Sequence, residues 1–300
     1  MKRVKKIFQY DNIGYLYVAP ALIYMLFFVG YPIVSNLILS LQDVTVITLT
    51  AEKKPWIGFQ NYVELFQDDV LKSSIINTLI FTLACLGIQF IIGMLLALFF
   101  NKKFSFAKPI RGILMIPWMI PITITALMFK FIFSSNVGIL NQALQTLHMI
   151  DKPIDWLTQP HTAMFALIVA NIWIGIPFNM ILISTGLSTI SEDLYESASI
   201  DGANRIQKFF KITLPLLRPA IEWVLILGFI YTFKVFDLVY VMTNGGPVNS
   251  THMLSTYSYK LSFEMFKYSK GAAVANILFV ILLCVSLLYL KCVYSDEEGR

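Results

Sequence analysis

The stretches of this 300-residue chain between Lys72 and Lys102, and again between Lys270 and Lys291, carry no charge. Each is long enough to cross a bilayer, which takes about 20 apolar residues as a helix. In lipid every backbone group must be satisfied inside the chain, so such runs are read as helices. Four further runs are of the same kind, two of them interrupted by charges. Together they predict spans near residues 15–41, 74–100, 110–133, 162–187, 217–242 and 271–292. The fifth carries Glu222 near its start and Lys234 and Asp237, three apart on one helix, toward its end. The expected fold class is an all-α membrane protein of six transmembrane helices.

Composition supports that class. A hydrophobic fraction of 57% beside 14% charged residues lies far from the average of soluble domains. The formal charge of +5 is no sign of nucleic acid, because the basic residues sit in short clusters beside the spans. Lys2, Arg3, Lys5 and Lys6 precede an uncharged run from Asn12 to Gln42, too long for the apolar core of a cleaved signal peptide. It is expected to be a first span, bent or broken by Pro20 and Pro32. Cys85, Cys284 and Cys292 fall in or at the end of spans, an odd count that suits membrane-packed thiols better than disulfides.

Lys and Arg counts set the orientation. With the N-terminus inside, the inner segments hold 14 of them and the outer segments seven, with Lys130 and Lys234 inside spans. Both termini are then cytoplasmic, as an arm of residues 1–14 and a tail of residues 293–300 around a 15–292 six-span domain. The loop 188–216 also lies inside. Ser191 before Glu192 and Asp193 reads as a helix start, with the acids at the positive end of the dipole. Gly202 is placed to end that helix in a left-handed conformation, and Asn204 to cap a second one. Ile206, Phe209 and Phe210 would rest on the membrane-side core, and Pro215 would limit the second helix before the fifth span. Among the outer segments, Ile139, Leu140, Leu144 and Leu147 are spaced for a short amphipathic helix.

Within that loop the residues Glu196, Ser197, Ala198, Gly202, Ile212, Leu214 and Pro215 stand at the spacing E-S-A-x3-G-x9-I-x-L-P. This resembles the E-A-A loop of the membrane subunits of binding-protein-dependent ABC importers; Asp201 and Ala203 match its D-G-A extension, and only Ser197 departs from the triplet. The resemblance implies a type I ABC importer permease, with a coupling helix that docks in a cleft of the ATPase. Asn171 to Phe178 (N-I-W-I-G-I-P-F) and Phe236 to Pro247 (F-D-L-V-Y-V-M-T-N-G-G-P) narrow it to carbohydrate permeases, similar to the larger maltose-type membrane subunit. The likeness runs from about residue 15 to 292, without the extra N-terminal spans and large insertion of the enteric maltose subunit.

The resemblance carries further expectations. Positions matching Asn171, Ile174, Gly175, Phe178, Gly228, Tyr231 and Thr232 would line the sugar path. Their chemistry agrees, since amides and hydroxyls exchange hydrogen bonds with sugar hydroxyls and aromatic rings cover apolar sugar faces. Asn171, Gly175, Phe178 and Asn179 also share a helical face. Ordinary helix packing explains such residues equally well. Gly245, Gly246 and Pro247 would form an outer turn meeting the binding protein. The implied partners are a second related permease chain, two cytoplasmic ABC ATPases that hold ATP and Mg, an extracytoplasmic sugar-binding protein, and lipid. The expected seat is the plasma or inner membrane.

The chain itself offers no phosphate-cradling G-x4-G-K-[ST] sequence, so no cofactor of its own is expected. His148, His161 and His252 lack metal-ligand spacing, and no nucleophile arrangement stands out, so neither metal nor catalytic residues are expected. Rival readings are the same transporter with another polar solute such as a glycerol-phosphate ester, a secondary transporter, and a membrane enzyme. A secondary transporter would need deep carboxylates or inverted repeats, and Asp237 is its one faint candidate.

Overall fold

The structure, a computed structural model, describes residues 10–51, 54–102 and 106–298, with side chains from Gly14 to Lys291. The basic N-terminal cluster at Lys2, Arg3, Lys5 and Lys6 and the Cys292 side chain lie outside the described residues. In chain order the helices are α1 (Tyr10–Met25), α2 (Tyr31–Ser40), α3 (Gln60–Gln67), α4 (Asp69–Phe100), α5 (Ala107–Leu114), α6 (Ile116–Met119), α7 (Ile122–Ile132) and α8 (Ile139–Thr146). They continue as α9 (Pro160–Ser188), α10 (Glu192–Ile200), α11 (Arg205–Lys208), α12 (Leu214–Phe233), α13 (Asp237–Met242), α14 (Leu254–Tyr259) and α15 (Tyr268–Glu298). Among the described residues five runs are long and apolar enough to cross a membrane, and a bent pair counts as a sixth if it is one span. The residues fall into two compact units, Met1–Gln67 with Ser258–Ile277, and Asp68–Tyr257 with Leu278–Arg300.

In the first unit, α1 and α2 join through a π-turn, Leu26–Gly30, into one helical run. Pro20 and Pro32 were expected to bend or break this span, and the run continues past both. The reason is visible beside Pro32: the Tyr31 amide bonds the Leu26 carbonyl, five residues back. That widened turn makes room for a ring that otherwise strikes the carbonyl four residues back. A polar chain then ties α2 to α15. Asn36 Nδ2 donates to Asn276 Oδ1 at 2.7 Å, Asn276 Nδ2 donates to Tyr62 Oη at 3.1 Å, and Tyr62 Oη lies 2.8 Å from Ser40 Oγ. Near it Lys270 Nζ pairs with Glu64 Oε2 at 2.7 Å. Hydrogen bonds from Lys270 and Gln60 hold the Glu64 carboxyl below its ordinary pKa.

In the second unit, α4 packs along α9, and α12 packs on both. Asp68 starts α4 as its N-cap, accepting from the Val70 amide at 2.8 Å. Two apolar clusters lie along this bundle. One gathers Phe81 and Cys85 of α4 with Ala166, Leu167 and Ala170 of α9; the other gathers Met94, Ala97 and Phe100 with Met180, Ile183 and Leu187. Between them the α4–α9 seam turns polar, at Gln89 and Asn179. Cys85 is buried as a packed thiol, whereas Cys284 is exposed on its helix.

Two spans differ from expectation. The third is not one helix over 110–133: Ala107–Met119 and Ile122–Ile132 meet at 91°. Ile120 and Pro121 are both extended, with ψ of 134° and 133°. A residue before proline is pushed out of the α region, so the break falls there. The fifth does not reach 242. Its helix ends at Phe233, and α13 begins anew at Asp237. Lys234 and Asp237 therefore share no helix and form no ion pair with each other; Glu222 pairs instead with Arg218 at 2.8 Å. Nor does Pro215 separate a second loop helix from this span. A π-turn at Phe209–Thr213, with the Leu214 amide on the Phe209 carbonyl, carries one run from Arg205 to Phe233. The expected amphipathic helix is α8, and its buried Asn141 organises the neighbouring loop by accepting from the Ile154 amide and Trp156 Nε1.

Candidate functional site

Where the seam turns polar, a cavity of about 460 Å³ opens between α9, α12 and the two helix breaks. All seven expected path residues line it: Asn171, Ile174, Gly175 and Phe178 from α9, and Gly228, Tyr231 and Thr232 from α12. Its size suits a small-molecule site, which runs to about 300–1,000 Å³. Glycine at position 175 lets the Gln89 amide lie against α9, because a Cβ there would fall on that amide and displace it. Gln89 Nε2 in turn donates to the Asn171 carbonyl at 2.8 Å. Asn179 Nδ2 donates to the Gly175 carbonyl at 2.9 Å, and its Oδ1 is buried without a partner. Amides thus form one end of the cavity.

Aromatic rings form the wall. Trp118 stacks on Phe178 with centroids 5.7 Å apart and planes at 15°. Phe178 meets Tyr231 edge to face at 6.0 Å, and Lys234 Nζ sits 5.3 Å from the Tyr231 centroid. Gln89, Trp118, Lys234 and Asp237 line the cavity without having been expected there. Lone polar Gln89 in an apolar run was the only available signal for the first. Trp118 and the two charges enter through the breaks of their spans, which no hydropathy pattern marks. The wall is open on one side: Trp118 and Tyr231 remain 51% and 59% exposed.

The loop after α9 is built as its sequence signals require. Ser191 caps α10 by accepting from the Asp193 amide, and Gly202 takes φ +78° after the helix ends. Asn204 and Gln207 form a reciprocal capping box on α11. Glu196 lines a groove of about 490 Å³ with Tyr195, Ser199 and Lys208. Ala198, Asp201, Gly202, Ala203 and Ile212 line a second, of about 380 Å³. Ser197 is on the exposed face, while Leu214 and Pro215 stand in the first turn of α12 and border neither groove. Ile206 and Phe210, expected against the core, are exposed at 69% and 60%. Thr213 and Leu217 of the same run are buried instead; a regular helix would put all four on one face, and the π-turn at Phe209–Thr213 breaks that register.

Beyond α12 and α13, Gly245, Gly246 and Pro247 form a tight turn. Gly245 has φ +77°, the Gly246–Pro247 bond is cis, and Thr251 Oγ1 donates to the Gly246 carbonyl at 2.5 Å. A Cβ on Gly245 would strike the His252 ring. Val248 beside it is 92% exposed. The 29-residue run Arg205–Phe233 separates this turn from the 191–203 loop. At 1.5 Å per residue that is about 43 Å, a bilayer thickness with headgroups.

The sequence family described as "Binding-protein-dependent transport system inner membrane component" matches residues 89–292. The trehalose/maltose transport system permease protein MalF of Thermococcus litoralis is 34% identical over 281 residues, covering 93% of each chain. Among solved structures, a bacterial ABC transporter involved in the import of the acidic polysaccharide alginate superposes with a TM-score of 0.81 at 28% identity, covering 97% of this chain and 98% of that one. A bacterial alginate ABC transporter in complex with alginate pentasaccharide-bound periplasmic protein gives 0.79 at 27%, covering 96% and 94%.

Proposed function

The chain belongs to the binding-protein-dependent transport system inner membrane components, and from that premise we propose that it forms half the membrane path of an ATP-driven importer for a sugar, an oligosaccharide delivered by an extracytoplasmic binding protein. The observation that carries the cargo reading is the cavity: amides at one end, aromatic faces along the wall, and seven path residues from two helices around one space. Exposed Trp118 and Tyr231 leave that space half walled, which supports a second, related permease chain as the other half. Glu196, Ser197, Ala198, Asp201, Gly202, Ala203, Ile212, Leu214 and Pro215 serve coupling to two ATPase subunits, which hold ATP and Mg. Gly245, Gly246 and Pro247 face the binding protein. The loop 188–216 and both termini are cytoplasmic, in keeping with the Lys and Arg counts.

In this mechanism ATP binding brings the ATPases together, and contacts on α10 that differ between open and closed ATPase pairs shift cavity access from one side to the other. One observation favours a second cargo class. Lys234 in the cavity suits an acidic saccharide or a phosphate ester, although Asp237 in the same cavity opposes it. Uptake by Lys234→Met separates the two: neutral oligosaccharide import persists under the first reading, while import of acidic cargo would be the activity lost under the second. The coupling assignment is tested by Glu196→Lys and Gly202→Leu, the latter at a φ that side chains rarely adopt. Both variants should insert in the membrane yet lose capture of the ATPase and sugar-stimulated hydrolysis. Wild-type values for both would overturn it.

A further inference from the structure

Only two residues of α10, Tyr195 and Ala198, are even partly covered; they stand three apart and share one face. The other residues of α10, Glu196, Ser197 and Ile200 among them, are exposed. From the covered face Tyr195 Oη reaches Thr213 Oγ1 at 2.9 Å, and Thr213 is itself buried at 5% exposure. Thr213 is the last residue of the π-turn beneath α12, one helical turn from fully buried Leu217. Lys208 Nζ adds a second tie, to Ser199 Oγ. Below this joint α12 lies against α9 at close range, since a Cβ on Gly186 would come within 2.5 Å of Ala220 Cβ.

We propose that Tyr195 and Thr213 are positioning residues for transport: their hydrogen bond transmits displacement of α10 to the fifth span. The proposal rests on the reading of α10 as the ATPase dock. Without a side-chain link, a push on α10 would reach α12 only through residues 201–204, a glycine turn that can flex. The hydroxyl pair bypasses that turn and fixes the helix to the base of the span whose other end lines the cavity. Its position at the π-turn matters, because the wide turn is where the Arg205–Phe233 run departs from a regular helical ladder.

The test uses the assembled complex in proteoliposomes with its binding protein, and reads ATP hydrolysed per sugar transported. Tyr195→Phe and Thr213→Val remove the hydroxyls with little change of shape. Each should raise that ratio about fivefold, as expected for losing one net hydrogen bond, while ATPase capture stays at the wild-type level. The double variant should be no worse than Thr213→Val alone, because that variant already removes the Tyr195–Thr213 bond together with the longer one from Thr213 Oγ1 to the Lys208 carbonyl at 3.4 Å. Thr213→Ser, which keeps the hydroxyl, should restore the wild-type ratio. Unchanged ratios in the single variants, additive effects in the double, or loss of capture by Tyr195→Phe would each overturn the proposal. Failure of the docking reading itself shows separately, as undiminished capture by Glu196→Lys and Gly202→Leu.

Discussion

At Gly175 the absence of one carbon permits the Gln89 amide to lie against α9 and hold the Asn171 carbonyl. Gly175→Val should therefore be overpacked by about 1–3 kcal/mol and lower the yield of folded complex, measured by detergent-stable assembly. Asn171→Ala and Phe178→Ala act differently, since both residues are only partly covered and face the cavity. Losing an amide hydrogen bond is worth about 0.5–1.5 kcal/mol, so Asn171→Ala should weaken sugar uptake several-fold without abolishing it. Phe178→Ala also removes the ring between Trp118 and Tyr231 and should do more. Complex yield and basal hydrolysis should hold in both. Unchanged uptake kinetics would make this face a packing surface. Spacing on α9 already pointed to these residues, because a helix repeats its face every three to four positions. Only its polarity within an apolar run pointed to Gln89, whose role depends on which helix lies beside it.

Among elements, the prolines behave according to what precedes them. Pro32 and Pro215 each follow a π-turn by two residues, and the helix runs on. Pro121 follows an extended Ile120, and the span folds to 91°. Sequence reading assigns Pro32 and Pro215 a breaking tendency and places Pro121 inside an unbroken third span, the reverse of what the backbone does at each. The break at Pro121 brings Trp118 and Ile122 to the cavity, so it should be needed for transport. Pro121→Ala removes the steric reason for the extended residue. With helix rise of 1.5 Å per residue, Cα atoms at 112 and 127 lie about 16 Å apart across a right-angle bend and about 22 Å apart in a straight helix. Spin labels at these positions should show longer distances in the variant, with reduced uptake. A wild-type distance would mean that packing against α9 and α13, not proline, makes the bend.

On the scale of the whole molecule, the larger unit puts the 191–203 loop before the helical run Arg205–Phe233 and the Gly245–Pro247 turn after it, beyond α13. With Cys85, Cys284 and Cys292 replaced, a cysteine at Lys152 should react with impermeant thiol reagents in intact cells, and one at Ile200 only after permeabilisation. Labelling of position 200 from outside would overturn both orientation and coupling. The number of apolar runs, the caps at Ser191, Gly202 and Asn204, and the spacing of the loop were all determined by sequence alone. Each is a local matter: length against bilayer thickness, or a backbone group seeking a partner within four residues. Only tertiary structure decided that the third span bends and the fifth ends at Phe233, that Gln89, Trp118 and Lys234 join the cavity, and that Ile206 and Phe210 face outward. The physical reason lies in the solvent. Lipid is as apolar as a packed helix interface, so hydrophobic periodicity does not say which face of a span meets its neighbours.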